Sequence, residues 1–124
     1  HEEGRRAAQL LLGRVPPEQL PTAIIGINDY TSVGIMESLI QKGLSVPGDI
    51  SVISFDNTYI CNIVTPRLTS VDYNYPLFGE RLVGIAVTAS RKQAVQKEQI
   101  VIPSLVVRNS TGPAIGSKSG GSQV

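Results

Sequence analysis

The sequence predicts an α/β fold built on a parallel sheet. Short apolar runs rich in β-branched residues are typical of sheet strands, and the longer stretches between them have apolar residues at helical spacing. Turn-forming residues separate the two kinds of segment. The chain has 124 residues, of which 41% are hydrophobic and 17% charged, so it is long enough for one such domain and has an ordinary globular composition.

The first predicted elements are a helix and a strand. Apolar residues at helical spacing over residues 3–13 predict an amphipathic helix that ends at Gly13. The run over residues 23–27 is continuously apolar and mostly β-branched, which predicts a strand buried on both faces of a parallel sheet.

A second helix and a second strand complete a β-α-β unit. Gly43 is placed to end the helix, and residues 50–55 are again strand-like. Three residues are candidates for the N-cap of the helix, namely Asp29, Thr31 and Ser32. The predicted buried face of the helix consists of Val33, Met36, Leu39 and Ile40.

The remaining elements follow the same alternation. We expect a short helix over residues 58–64, a strand over 68–71 and a long helix over 76–91. Residues 99–108 predict one interrupted strand or two short ones. From Gly112 onward the small polar composition predicts a flexible tail.

The composition argues against several functions. The formal net charge is +1 and the basic residues are scattered, so this chain shows no surface suited to direct nucleic-acid contact. Cys61 has no partner for a disulfide, and with His1 as the only histidine no metal-ligand set is present. We expect no metal and no cofactor, and a reducing cytoplasm. The sequence has neither a signal core nor an apolar run long enough to span a membrane.

Polar residues follow both strands of the β-α-β unit. Asn28 and Asp29 follow the first strand, and Asp56 and Asn57 follow the second. Because ligands of parallel sheets bind outside the carboxyl ends of the strands, these amides and carboxylates form a candidate site for hydroxyls, amides or a purine. Aromatic residues near this position could stack on a ligand, among them Tyr73.

Two simpler interpretations stay open from the residues alone. Asp29 could only cap the helix, and Asp56 with Asn57 could only form a turn. An enzyme or phospho-receiver with Asp56 as nucleophile is disfavoured, because further acidic residues and a placed lysine are missing. Cys61 has the character of a small buried apolar residue.

Five segments, in order, resemble the LacI/GalR family of bacterial transcription regulators. The resemblance extends over roughly residues 2 to 113, and agreement in both order and spacing makes it far more specific than a single motif. The segments are Pro21-Thr-Ala-Ile-Ile-Gly-Ile-Asn-Asp29, Gly34 to Val52 with its Gly-Leu-Ser-Val-Pro-Gly-Asp turn, Phe55-Asp56-Asn57, Thr65-Pro66-Arg67-Leu68-Thr69-Ser70-Val71, and Val106 to Pro113.

The resemblance implies a periplasmic-binding-protein-like (type I) effector-binding domain, present as its carboxy-terminal portion. Residues 1–113 would belong to that domain, with about 72–98 in its other subdomain, and 114–124 would be a flexible tail. The helix over 76–91 would then expose an apolar face in the isolated chain, which favours dimerisation, exchange or partial disorder.

The function that the resemblance implies is regulation without catalysis. A small-molecule effector, expected to be a sugar, would shift operator affinity in a homodimeric repressor through a helix-turn-helix domain that is absent from this chain. The alternative is the solute-binding protein of a sugar transporter, which shares the fold.

The resemblance also implies site residues. Asn28 and Asp56 match effector-binding positions, Tyr75 matches a position where the family often places an aromatic ring against the ligand, and Tyr73 is a neighbouring candidate. The sequence departs from the family pattern at Ser54, where glycine is usual, and mildly at Asn57, where aspartate is more frequent.

Overall fold

The computed structural model describes residues 1–96 and 98–114. Its core is a four-stranded sheet in the order β1-β2-β3-β4, in which β1, β2 and β3 are parallel and β4 pairs antiparallel to β3. The α/β class with a mostly parallel sheet is therefore confirmed. The elements are α1 (Glu2–Arg14), a 3-10 turn (Pro17–Gln19), β1 (Ala23–Ile25), α2 (Asp29–Gln41), β2 (Ser51–Phe55), α3 (Ile60–Ile63), β3 (Thr69–Asp72), α4 (Tyr75–Ser90) and β4 (Ser104–Val106).

The hydrophobic core lies between α2 and the sheet, with α1 packed on α2. Met36 and Leu39 from α2 and Val52 from β2 are almost completely buried in it. The two helices cross closely because glycines meet backbone at the crossing: a Cβ at Gly34 would lie 2.0 Å from the carbonyl oxygen of His1. Ile40, predicted on the buried face, is 45% exposed.

The ends of α2 follow local chemistry. Asn28 is the N-cap, and its Oδ1 accepts a hydrogen bond from the backbone N–H of Thr31 at 2.8 Å. None of the three predicted caps therefore has this role. Gly43 has a φ of +82°, the left-handed conformation that ends a helix, as predicted.

The prediction that the first strand is buried on both faces was wrong. β1 stops at Ile25, which is 69% exposed, and Ile27 beyond it is 75% exposed. Ala23 and Ile25 lie on one face of β1 and are both exposed, whereas Ile24 on the other face is partly buried against the core, so only one face of the strand is covered in the described part of the chain. Apolar β-branched composition predicted a strand but not which of its faces other elements cover.

The segment before β4 also differs from prediction. Residues 98–103 contain no strand, and Ile100 and Ile102 are 66% and 83% exposed, because no neighbouring strand in the described chain pairs with them. Gly112, predicted to begin the tail, exchanges hydrogen bonds with the Ser51 hydroxyl. Of the predicted tail, residues 115–124 lie outside the described residues.

Helix α4 has no buried residue, as expected for an unpartnered helix. Four of its large apolar side chains are 42% to 64% exposed, namely Phe78, Leu82, Val83 and Val87. Within the described ranges, none of the helices has both the length and the apolar character needed to cross a membrane.

Candidate functional site

The candidate site is the carboxyl edge, which we define as residues 26–28 after β1 and 56–58 after β2. Ile25 pairs with Ile53 in the parallel register. Asn28 and Asp56 follow β1 and β2 within a few residues, so both lie just beyond the carboxyl ends of neighbouring parallel strands. The structure therefore brings two of the predicted site residues to one edge.

Asn28 is half-buried and presents only part of its amide to a ligand. The cap bond to Thr31 uses its Oδ1. Its Nδ2 group donates no hydrogen bond to another described residue, so the amide contributes donors at this edge.

Asp56 begins the loop after β2 with a φ of +103°, a conformation that side-chain-bearing residues rarely adopt. Its backbone N–H donates to the carbonyl oxygen of Val71 in β3 at 2.9 Å. Its Oδ1 accepts from the Tyr75 hydroxyl at 3.0 Å. No described residue hydrogen-bonds its Oδ2, so this oxygen contributes an acceptor at the edge.

Three aromatic rings lie in a row beside Asp56. The Phe55 and Tyr73 rings are stacked with centroids 6.2 Å apart, and Tyr73 meets Tyr75 edge-on at 6.0 Å. Tyr73 is 38% exposed and Tyr75 51%. The structure thus groups both predicted tyrosines with Asp56, whereas no direct contact links them to Asn28.

Behind the carboxyl edge, Asp29 is fully buried and accepts four hydrogen bonds. Its Oδ1 accepts from the hydroxyls of Ser54 at 2.5 Å and Ser70 at 2.7 Å. Its Oδ2 accepts from the backbone N–H and the hydroxyl of Thr58 at 2.6 and 2.7 Å. Burial acts to raise the pKa of Asp29, but these hydrogen bonds outweigh it and the pKa lies below its ordinary value of 3.8. The carboxylate therefore ties β2, β3 and the loop before α3 together directly next to Asn28.

The two departures from the family pattern now have a structural account. The Ser54 hydroxyl is buried and directed at Asp29, so it does not obstruct the ligand side of the edge. Asn57 has a φ of +51°, and its Nδ2 donates to Asp72 Oδ2 at 3.0 Å. Its Oδ1 accepts from Arg108 Nη2 at 2.7 Å. An amide serves both partners because it has a donor and an acceptor.

Residues near the end of the described chain support this edge, and sequence reasoning assigned them no role. Arg108 also donates to the carbonyl oxygen of Leu68 at 2.8 Å. The buried Ser110 hydroxyl donates to the carbonyl oxygen of Val52 at 2.6 Å and accepts from the backbone N–H of Thr69 at 2.8 Å. The only available signal was the motif that contains Arg108 and Ser110, and a motif does not name the groups that its side chains reach.

The comparison with protein families identifies the class. Residues 1–111 match the periplasmic binding protein-like domain family, so the chain belongs to this family. Together with the relatives below, this assigns it to the effector-binding domain of LacI/GalR-type regulators.

The curated relatives are transcription regulators. The chain is 35% identical over 113 residues to the HTH-type transcriptional regulator DegA of Bacillus subtilis (strain 168), an alignment that covers 90% of this chain and 32% of the relative. It is 35% identical over 92 residues to the lactose operon repressor of Escherichia coli (strain K12), with 74% of this chain and 26% of the relative covered. The chain thus spans about a third or less of the length of these relatives.

Solved structures agree with this assignment. The lac repressor dimer bound to operator and the anti-inducer ONPF matches with a TM-score of 0.80 and 31% identity, covering 87% of this chain and 37% of that one. A LacI family transcriptional regulator from Bifidobacterium animalis subsp. lactis DSM 10140 matches with a TM-score of 0.84 and 28% identity, covering 91% and 41%.

Proposed function

We propose that this chain is the effector-binding part of a LacI-type transcription regulator, and that the effector binds at the carboxyl edge. The observation that carries the proposal is that a free amide donor at Asn28 and a free carboxylate oxygen at Asp56 both lie just beyond the carboxyl ends of neighbouring parallel strands. Exposed tyrosine rings lie beside Asp56.

This arrangement suits a sugar. A hydroxyl both donates and accepts, so adjacent hydroxyls of one sugar can donate to Asp56 Oδ2 and accept from Asn28 Nδ2. The Tyr75 ring offers an apolar face for the C–H face of a pyranose or for a purine. The lac repressor, a relative crystallised with the anti-inducer ONPF, is a precedent for a small molecule bound to a protein of this family.

The proposed output is a population shift. Effector bound at the edge would favour one arrangement of the domain in a homodimer and so change operator affinity through a separate DNA-binding domain. We further propose that residues 72–98 belong to a second subdomain, which accounts for the absence of any buried residue in α4. The regulator would act in the cytoplasm and catalyse no reaction.

The transporter alternative receives less support than the regulator. A solute-binding protein would share the fold, but DegA and the lactose operon repressor, to which the chain is 35% identical, are both transcription regulators. Operator binding by the full-length protein supports the regulator, and its absence with every promoter fragment of the genomic neighbourhood would favour the transporter protein.

The experiment is a thermal-shift screen of the full-length protein against monosaccharides, disaccharides, nucleosides and purines. A compound that binds at the edge stabilises the wild type in proportion to its saturation. Asp56→Ala should reduce affinity about 10- to 100-fold, since a hydrogen bond to a charged group contributes about 1.5 to 3 kcal/mol.

Two further variants sharpen this screen. Asp49→Ala makes the same substitution at an exposed carboxylate before β2, at the opposite end of the strand, and should leave affinity unchanged. Asn28→Asp keeps the oxygen that caps α2 but removes the amide donor, so binding should weaken while the helix cap persists. Equal affinities of the wild type and Asp56→Ala for every stabilising compound would contradict the proposed site.

A further inference from the structure

In the described part of the chain, few side-chain hydrogen bonds and ring contacts join the sheet and its loops to the segment that contains α4. Asp72 and Ser104 pair where the chain leaves β3 and enters β4, and the Asn57 side chain donates to Asp72 at this end of β3. Beyond these strands, the Phe55 ring stacks on Tyr73 and the Tyr75 hydroxyl donates to Asp56.

The contacts around Asp56 form a closed ring of neighbouring residues. Phe55 stacks on Tyr73, Tyr73 meets Tyr75 edge-on, and Tyr75 donates to Asp56, which is the chain neighbour of Phe55. Tyr75 is the first residue of α4, whose N-terminus Asn74 caps by accepting from the backbone N–H of Leu77. The hydroxyl of Tyr75 is thus presented to the carboxylate from the first turn of α4.

We propose that the Tyr75 hydroxyl is a positioning group for Asp56. No other described residue hydrogen-bonds the Asp56 side chain. Asp56 itself lies in a loop and has a backbone φ of +103°. By occupying Oδ1, Tyr75 selects one orientation of the carboxylate and leaves Oδ2 for the effector. This role concerns the hydroxyl and is distinct from any contact of the ring with a ligand, and it rests on the function proposed above.

The expected consequence is a loss of affinity without a loss of the ring. In Tyr75→Phe the carboxylate regains rotamer freedom that effector binding must then remove. We expect about 3- to 10-fold weaker binding, the scale of one modest hydrogen bond. Tyr59→Phe is the matched control, because Tyr59 is 76% exposed and its hydroxyl forms no hydrogen bond within the described chain.

The first test needs no ligand. The hydrogen bond to the Asp56 carboxylate raises the pKa of the Tyr75 hydroxyl, and burial and then the charge of Asp56 add to the rise. In the full-length protein with 13C-labelled tyrosine rings, Tyr75 should ionise at a lower pH in Asp56→Ala than in the wild type. Ionisation of Tyr75 at the same pH in both proteins would overturn the proposal, whatever binds at the edge.

The second test is a double-mutant cycle in the full-length protein. The probe is whichever of D-galactose, D-glucose, D-ribose, adenosine or adenine raises its melting temperature most. Tyr75→Phe should weaken binding of this probe in the wild type and have no further effect in Asp56→Ala, because the hydroxyl acts through that carboxylate. The same loss in both backgrounds, or no loss in the wild type, would overturn the positioning role. An unchanged affinity of Asp56→Ala itself would instead refute the proposed effector site.

Discussion

The buried Asp29 carboxylate gives the sharpest stability prediction. In Asp29→Asn one carboxylate oxygen becomes an NH2 group, and the backbone N–H of Thr58 requires the remaining oxygen because it can only donate. The NH2 group then faces the hydroxyls of Ser54 and Ser70, which must turn to accept. Because asparagine is uncharged, all four bonds to this side chain change from about 1.5 to 3 kcal/mol each to about 1 kcal/mol each, a loss of about 2 to 8 kcal/mol. The easier burial of a neutral amide offsets part of this loss, so the free energy of unfolding should fall by about 1 to 4 kcal/mol.

The assay is urea unfolding of the full-length protein, followed by circular dichroism at neutral pH. Asp49→Asn is the control, since Asp49 also accepts two hydrogen bonds from Ser45 but is exposed to water. Its effect should be the smaller of the two. Wild-type stability of Asp29→Asn, or an equal loss in Asp49→Asn, would refute the reasoning that burial makes the Asp29 bonds important.

Three further predictions concern the stability of the protein at acid pH, the packing of two glycines and the reactivity of the Cys61 thiol. Because folding lowers the pKa of Asp29, the contribution of this carboxylate to stability is complete at a pH above its ordinary pKa of 3.8 and is lost as the pH falls through the pKa of the folded state. The urea midpoint of the wild type should therefore drop more steeply below pH 4 than that of Asp29→Asn. Parallel curves of midpoint against pH would contradict this prediction. In urea unfolding, Gly34→Ala should lower the free energy of unfolding by more than about 1 kcal/mol, because its Cβ would overlap the His1 carbonyl oxygen. Gly84→Ala, with open space around the new Cβ, should be neutral or stabilising in the same assay. Burial, with the negative charge of the nearby Asp29, raises the pKa of Cys61 to about 11, so iodoacetamide at pH 7.5 should modify this thiol only after denaturation. Rapid modification of the native protein, measured by mass spectrometry, would contradict the burial.

Local patterns predicted the elements well because they report which residues face apolar surroundings. The apolar spacing in α2 matched the buried positions Val33, Met36 and Leu39, and Gly43 ended the helix where its permissive backbone suggested. The errors lie where the answer depends on distant neighbours. Ile25 and Ile102 lie in runs of strand-like composition, but composition does not reveal whether another element covers the face of a strand, as for Ile25, or pairs with the run at all, as for Ile102.

The site was predictable to the level of positions but not of roles. Topology and resemblance placed Asn28 and Asp56 at the ends of adjacent strands, which the register confirms. The geometry of the loop decides that Asn28 caps the helix and that Asp29 is buried. A shift of the helix start by one residue would exchange these roles, and the sequence alone does not fix it to that precision. The bond from Arg108 to Asn57 in the Asp56 loop joins residues 51 positions apart, and no local pattern indicates such a contact.

The most direct test of the central claim is isothermal titration calorimetry of the full-length protein with the sugar or purine that stabilises it most. The account predicts saturable binding to the wild type and to Asp49→Ala with the same affinity, and binding about 10- to 100-fold weaker to Asp56→Ala with an unchanged urea midpoint. Full-affinity binding to Asp56→Ala would contradict the account, because the effector would then bind away from the carboxyl edge.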